Sequence, residues 1–368
     1  MSLKRFNWIL VGKIVLGGIY FLAIGEIFMR VFAPQPMLPR YVCATSYGIR
    51  GNTPSRNYWH KTPEYRIKIH TNSKGLRADR EMPYEKPPGM RRILLLGDSF
   101  GIGYGVNLED MFLSRLVASL GAAGARCEGV NLSVSGYGTA EELVALEEEG
   151  FRYEPDLVII AWHSTDYEDN TRSDLYALED GRLVRKNEAY LPAVKSRELF
   201  FRLAAFRWLA VHSHLYCCLR EKAAVFVKTQ LMPATRRLRT VRAAAPQADD
   251  EQSKQRGDYR NRLAIALLTE IQRQCREHGA ELLILDIPSR KSRTEFYSTF
   301  HADQLDDPTQ FHIYNPIADF RQYHGKKLYW EKAHGHFTPL GCRIVGEGLA
   351  RMALELGLLG HDFRKAER

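Results

Sequence analysis

Short apolar runs that alternate with helical patterns constrain the fold of this chain more than any other feature. Ile93 to Leu96 is continuously apolar and ends at Gly97, and mostly apolar runs lie at Asp156 to Trp162 and Glu281 to Ile287. A strand is apolar throughout when both of its faces are buried, as happens in parallel sheets. A weaker strand is predicted from Cys127 to Leu132. Four strands of a parallel sheet are therefore expected.

Helical patterns with start signals lie between and after these strands. Thr139 with Glu142 forms a predicted capping box. Thr338 suits an N-cap, and Pro339 suits the first position of a terminal helix. The predicted helices are 107–121 with Asn107 as N-cap, 139–150, 258–278 and 338–356.

Alternation of strands and helices predicts an α/β fold, a doubly wound, flavodoxin-like parallel sheet with helices on both faces. A helical insertion of about 167–255 interrupts it, with its helical part at Glu198 to Leu231. This part fits a lid, a membrane-surface helix or a subdomain that packs on the core. Arg207, His212 and His214 interrupt it too often for a second membrane span.

The N-terminal segment Trp8 to Phe32 is mostly apolar and has the length of a transmembrane helix. Lys4 and Arg5 precede it, so the positive-inside rule places residues 1–7 in the cytoplasm. With no A-x-A cleavage site after it, 8–33 is predicted to be an uncleaved signal anchor. The expected protein is a single-pass protein of the inner membrane, with 34–90 as linker and irregular cap and 91–360 as an extracytoplasmic, periplasmic catalytic domain.

The charge and the cysteines limit the partners. A net charge of +9 is spread along the chain without an aromatic-basic motif, so no nucleic acid is expected, and anionic lipid or polysaccharide is the better partner. The six cysteines show no CxxC and no His/Cys cluster with ligand spacing. No metal site and no cofactor are predicted, and the sequence leaves the oligomeric state undetermined.

A candidate nucleophile follows the first predicted strand. Gly97-Asp98-Ser99-Phe100-Gly101 matches the G-x-S-x-G pattern of a sharp strand-to-helix turn that exposes a nucleophilic serine. Ser99 there projects from the carboxyl edge of the sheet, where open α/β folds form crevices. A glycine-rich turn without chemistry fits the same five residues, but a Walker loop does not, because no Lys-Ser/Thr pair follows.

Three further segments, in order along the chain, extend the pattern. Gly136 follows the second strand, 163–166 (His-Ser-Thr-Asp) follows the third, and 334–339 (His-Gly-His-Phe-Thr-Pro) precedes the terminal helix. With Gly97-Asp98-Ser99, these blocks resemble the GDSL/SGNH hydrolase superfamily over about 240 residues. The stretch 72–77 (Asn-Ser-Lys-Gly-Leu-Arg) resembles its membrane-anchored bacterial members.

The resemblance implies a serine esterase mechanism. Ser99 would be the nucleophile and His336 its base. The backbone amides of Ser99 and Gly136 would stabilise the oxyanion, with a third donor at Thr165, where the family has asparagine. Asp98 and Asp166 would support these groups.

Two departures from the family pattern concern the site. Thr165 replaces an asparagine whose carboxamide reaches further. His334 stands where the family has the aspartate that orients the catalytic histidine, and Glu331 is a possible substitute acid. A Ser-His dyad is the alternative to a full triad.

The expected function is therefore that of a carboxylic ester hydrolase. It would remove O-acetyl groups from a cell-envelope or exported carbohydrate through an acyl-serine, with lipid esters as a second substrate class. Transfer of the acyl group to a polysaccharide is the first alternative. A non-catalytic binding or assembly protein with a degenerate site is the second.

Overall fold

The computed structural model describes residues 8–192, 194–226, 249–305, 307–332 and 335–360. In these residues the strands are β1 (Val42–Ala44), β2 (Arg50–Asn52), β3 (Asn57–Lys61), β4 (Arg66–His70), β5 (Arg91–Gly97), β6 (Cys127–Asn131), β7 (Leu157–Trp162), β8 (Tyr176–Glu179), β9 (Arg182–Arg185), β10 (Glu281–Asp286), β11 (Ser289–Arg290), β12 (Phe296–Tyr297) and β13 (His312–Tyr314). The α-helices of the same residues are α1 (Trp8–Phe32), α2 (Phe112–Ala122), α3 (Thr139–Glu148), α4 (Asp166–Ser173), α5 (Val194–Arg202), α6 (Ala204–His212), α7 (His214–Phe226), α8 (Asp249–Glu277), α9 (Ile317–Arg321) and α10 (Pro339–Leu356).

One parallel sheet contains five of these strands in the order β13–β10–β7–β5–β6. With β5 counted as the first strand, the order is 2-1-3-4-5, which is the flavodoxin-like doubly wound order. The predicted fold class is confirmed. The strand order reverses between β5 and β7, so a crevice is expected at the carboxyl ends of these two strands.

Both faces of the sheet are covered by helices. Ile93 and Leu95 pack into a core with residues of α2 and α10, whereas Leu94 and Leu96 pack into a second core with residues of α3 and α8. All four side chains are fully buried. Successive residues of a strand point to opposite faces, so the continuous apolar run of β5 follows from having a helical layer on each side.

The starts of two helices differ from the prediction. The predicted capping box of Thr139 and Glu142 is wrong by one residue: Gly138 is the N-cap of α3, and Glu141 Oε2 accepts from its amide at 3.0 Å. At the predicted helix 107–121, a short 3-10 turn comes first, and Asn107 makes no side-chain cap bond. The terminal helix begins as predicted, with Thr338 Oγ1 accepting from Gly341 N at 3.2 Å.

Contacts between Cα atoms divide the chain into two compact units. The predicted helical part of the insertion, Glu198 to Leu231, is described as far as Phe226, and 227–231 lie outside the described residues. Over the described part, helix breaks at Leu203 and Ser213 separate α5, α6 and α7. In the described residues, unit 1 comprises 8–39, 59–66 and 200–226, and unit 2 comprises the described parts of 40–58, 67–199 and 249–360.

Helix α1 is the one described helix that is long and apolar enough to cross a membrane. It has 25 residues, and none of them is buried. At about 1.5 Å per residue, such a helix exceeds the roughly 30 Å thickness of a bilayer core. Its length and composition are those of a membrane span or of an N-terminal signal sequence.

Candidate active site

The candidate nucleophile lies in a tight turn after β5. Gly97 and Gly101 approach each other there, because a Cβ on Gly97 would lie 2.8 Å from the Cβ of Ala161 and 3.5 Å from the Cα of Gly101. The turn is closed by Asp98, whose Oδ1 accepts from the Phe100 amide at 2.8 Å. The two glycines therefore serve close backbone packing, which leaves Ser99 at the carboxyl end of the strand.

The structure brings Ser99 and His336 together. Nε2 of His336 lies 2.8 Å from Ser99 Oγ, although the two residues are 237 positions apart. His336 is 5% exposed. Its backbone is fixed on one side by the Trp330 amide, which donates to the His336 carbonyl at 2.8 Å, and on the other by the Thr338 cap of α10.

The backbone amides of Ser99 and Gly136 are the two predicted oxyanion donors. Within the described residues, the amides of Ser99 and Gly136 donate to no other protein group. Gly136 has a φ of +84°, a conformation that favours glycine. Its carbonyl accepts from Arg50 Nη2, and Arg50 also bonds Glu141 Oε1 at 3.1 Å. The guanidinium thus holds the Gly136 turn through the carbonyl of Gly136.

Thr165 directs its hydroxyl to a second histidine. His163 Nδ1 lies 3.0 Å from Thr165 Oγ1, and the Thr165 amide donates to the same nitrogen at 3.4 Å. Since a backbone amide can only donate, this pattern assigns the hydrogen of neutral His163 to Nε2. Burial lowers the pKa of His163 to about 4. The Phe100 ring contacts both His163 and His336, at centroid distances of 5.0 and 4.9 Å.

Three carboxyl groups, Asp98 in the Ser99 turn, Glu142 and Asp166, are buried. Burial raises the pKa of Asp98 to about 6. Burial, together with the neighbouring carboxylates, raises the pKa values of Glu142 and Asp166 well above the ordinary range. Within the described part of the chain, both Glu142 oxygens and Asp166 Oδ1 have no hydrogen-bond partner. Asp166 Oδ2 accepts from the His163 amide at 3.2 Å.

Glu331 and His334 were the residues predicted to orient the imidazole of His336. The carboxylate of Glu331 forms an ion pair with Arg293, and this bond lowers the pKa of Glu331. His334 lies outside the described residues. Among the described residues, no group of three or more His, Cys, Asp or Glu side chains could hold a metal ion.

Several residues that organise the site escaped sequence reasoning. Arg77 is buried and donates to the carbonyls of Ile102, Gly103 and Val106, in the loop that follows Ser99. Arg50 holds the Gly136 turn. Both precede the sheet domain and act over long sequence separations, so no local spacing reveals them. Arg77 belongs to the 72–77 stretch, which was a signal without an assigned role.

Comparisons with known proteins found similarity among solved structures. No family model and no curated protein matches the chain. A protein of the G-D-S-L family from Desulfitobacterium hafniense is 11% identical, with 71% of this chain and 98% of that chain covered and a TM-score of 0.35. The lipase/acylhydrolase from Enterococcus faecalis is 15% identical (73% and 97% covered, TM-score 0.37).

An acetylxylan esterase from Geobacillus stearothermophilus, Axe2, is 12% identical (75% and 97% covered, TM-score 0.37). The similar structures thus include GDSL-type proteins and esterases. Because identity is low and these TM-scores are below 0.5, the chemistry of the site rests on the residues of this chain.

Proposed function

We propose that the protein hydrolyses acyl esters through an acyl-serine intermediate, with Ser99 as nucleophile and His336 as base. The observation that carries this proposal is the 2.8 Å separation of His336 Nε2 and Ser99 Oγ. It occurs at the carboxyl edge of the sheet, next to the point where the strand order reverses. A serine and a histidine within hydrogen-bond reach are the minimum for an activated oxygen nucleophile.

In the first step, Ser99 Oγ attacks the ester carbonyl carbon while its proton moves to His336 Nε2. The developing oxyanion is stabilised by the amides of Ser99 and Gly136, which have no other acceptor among the described residues. Collapse of the tetrahedral intermediate breaks the bond to the alcohol. His336 returns its proton to the departing oxygen.

In the second step, water attacks the acyl-serine. His336 takes a proton from the water, a second oxyanion forms at the same amides, and Ser99 Oγ leaves with the proton from His336. Neutral His163, with its hydrogen on Nε2, supplies a further polar group beside the Phe100 ring. The hydroxyl of Thr165 is engaged with His163 and supports that imidazole.

The proposed substrates are O-acetyl esters of a cell-envelope or exported carbohydrate. This class follows from the proposed location: α1 anchors the chain in the inner membrane as a single pass, and the site faces the periplasm. The net charge of +9 favours anionic polymers and lipid surfaces over nucleic acid in that compartment.

The test uses the full chain in detergent micelles with p-nitrophenyl acetate. We expect turnover by the wild type and its loss in Ser99→Ala, with Ser119→Ala in α2 as a matched serine control that keeps full activity. Equal activity in wild type and Ser99→Ala would overturn the proposal. Product analysis with an acetylated carbohydrate separates the outcomes: free acetate supports hydrolysis, whereas acetyl found on an added sugar acceptor shows transfer instead.

A further inference from the structure

The last turns of α1 in unit 1 are bonded to the junction of α6 and α7. Glu26 Oε2 accepts from Ser213 Oγ at 2.7 Å and from the Leu215 amide at 2.9 Å, and Oε1 accepts from the His214 amide at 3.0 Å. The carboxylate therefore satisfies the free amides at the start of α7 and interacts favourably with its dipole. One side chain of α1 thus caps another helix.

A second polar contact and a close approach fix the same junction. Arg30 Nη2 donates to the His212 carbonyl, at the end of α6, at 2.6 Å. A Cβ on Gly25 would lie 3.2 Å from Cδ2 of Leu215. Glu26 and Arg30 also pair with each other at 2.7 Å. Glu26 thus binds the start of α7 and Arg30 binds the end of α6, and each side chain lies at the helix end that its charge favours.

The position of Glu26 along α1 sets the depth of this junction. About 20 helical residues span the roughly 30 Å hydrocarbon core of a bilayer. Counted from Trp8, such a span ends at Ile27, beside Glu26. With α1 across the bilayer, the junction of α6 and α7 lies at the outer boundary between hydrocarbon and headgroups.

Residues 203–226, here called the elbow, expose large apolar side chains. In α7, Leu219 and Phe226 recur at helical spacing from Leu215, the residue that packs at Gly25. Soluble proteins rarely leave such groups clustered in water, and tryptophan is enriched at membrane interfaces. The exposed fractions are 53% for Leu203, 57% for Trp208, 57% for Leu219, 51% for Val225 and 57% for Phe226.

The elbow also contains basic side chains, one of which bonds to the end of the preceding helix. Arg207 Nη1 donates to the carbonyls of Phe201 and Arg202 at 2.6 and 3.0 Å, which caps the end of α5. In α7, Arg220 and Lys222 outnumber the single acid of that helix. Basic residues beside exposed apolar ones are the pattern of helices that lie in the interface of anionic membranes.

We propose that the elbow lies in the outer leaflet of the lipid bilayer beside α1, as a second membrane contact of the chain. The inference rests on the membrane placement of α1 that belongs to the proposed function. It commits to lipid as the partner, because the elbow is bonded at the hydrocarbon boundary and combines apolar and basic groups. A second copy of the chain and free solvent are the occupants that the test distinguishes.

The test measures quenching of tryptophan fluorescence by brominated lipids, with the full chain in nanodiscs that contain anionic lipid. We expect Trp208→Phe to remove a substantial share of the quenchable fluorescence, on the order of that removed by Trp8→Phe in α1. Trp330→Phe, in unit 2, is the matched control and should leave the quenched amplitude unchanged.

Failures of the two proposals are distinguishable. If Trp8→Phe reduces the quenched amplitude and Trp208→Phe does not, α1 is in the bilayer but the elbow inference is overturned. If neither variant reduces the quenched amplitude, both the membrane placement of α1 and the membrane placement of the elbow are contradicted. A wild type that is dimeric in nanodiscs, with Trp208 unquenched, would assign the elbow to a second copy.

Glu26→Ala should increase the labelling of Cys218 by a water-soluble maleimide, and an unchanged rate would contradict the role of Glu26 in holding the elbow.

Discussion

The two ends of the central strands differ in how their buried ionisable groups are paired. At the amino end of β5, the fully buried Arg92 donates to Glu128 Oε1 at 2.9 and 2.6 Å and to the carbonyls of Tyr84 and Tyr153. Asp156 accepts from three donors, one of them the Arg92 amide. Burial opposes ionisation of Asp156, but these hydrogen bonds lower its pKa overall.

At the carboxyl end, the buried carboxyl groups form no ion pair among the described residues. Asp98, Glu142 and Asp166 have raised pKa values, and three of their oxygens have no partner among the described residues. Ser99 and His336 lie at this end. The amino end therefore stabilises the sheet, whereas the carboxyl end keeps polar groups that cost stability and are available for chemistry.

The largest expected effect is on activity at the carboxyl end. His336→Gln removes the base from Ser99, and we expect kcat/KM for p-nitrophenyl acetate to fall on the order of 10⁴-fold or more. The melting temperature of the full chain in detergent should change little, because the ion pairs at the amino end are untouched. Activity within tenfold of wild type would contradict the assignment of the base.

The second effect is on stability at the amino end. Arg92→Met leaves Glu128 buried without its main partner, a change that costs about 3–5 kcal/mol in other proteins. We expect the melting temperature to fall by on the order of 10 °C. The double variant Arg92→Met/Glu128→Gln should recover part of this loss, and a double variant that melts lower than the single one would show that the pairing is not the cause.

A third, smaller effect concerns the proposed oxyanion amides. Gly136→Ala places a side chain at a φ of +84°, 3.3 Å from the Arg50 guanidinium. The turn must shift, so the Gly136 amide moves and kcat should fall on the order of 10²-fold, with KM little changed. Gly181→Ala, a positive-φ glycine with open space around it, is the matched control for backbone strain alone and should keep full activity.

The smallest effect is the pH dependence of stability. In the folded state, Asp98, Glu142 and Asp166 keep protons that the unfolded chain releases. These protonated groups therefore contribute to the free energy of unfolding at low pH. The contribution is lost as the pH rises through the folded pKa values, of which that of Asp98 is about 6. Glu142→Gln should therefore reduce the fall in melting temperature between pH 5 and pH 8, by on the order of 3 °C.

Asp156→Asn is the control for that prediction, with the opposite sign. Because the pKa of Asp156 is lowered in the folded state, its carboxylate stabilises the fold at pH values above the ordinary aspartate range. This stabilisation is lost as the pH falls. The variant should lose more stability at pH 8 than at pH 4. Parallel pH profiles for the two variants would contradict the difference between the ends of the sheet.

The sequence predicts what depends on local pattern. The apolar runs locate β5, β7 and β10, and Thr338 with Pro339 locates the start of α10, because each signal lies within a few residues. The edge strand β13 was missed, since three residues carry no periodicity.

The site divides in the same way. The G-x-S-x-G turn and the order of the blocks point to Ser99 and His336 from the sequence. Arg50 and Glu141 could not be found, because their pairing spans 91 positions. His163 belongs to the third block, but its tautomer depends on contacts that only the fold brings together.

The most direct test of the central claim is covalent labelling with a fluorophosphonate probe, read by peptide mass spectrometry on the full chain. An activated serine should give one adduct, on the peptide that contains Ser99. Ser99→Ala should give none, and His336→Gln should be labelled far more slowly. Absence of an adduct on Ser99 in folded wild-type protein, or equal labelling of the His336 variant, would contradict a nucleophile activated by histidine at this site.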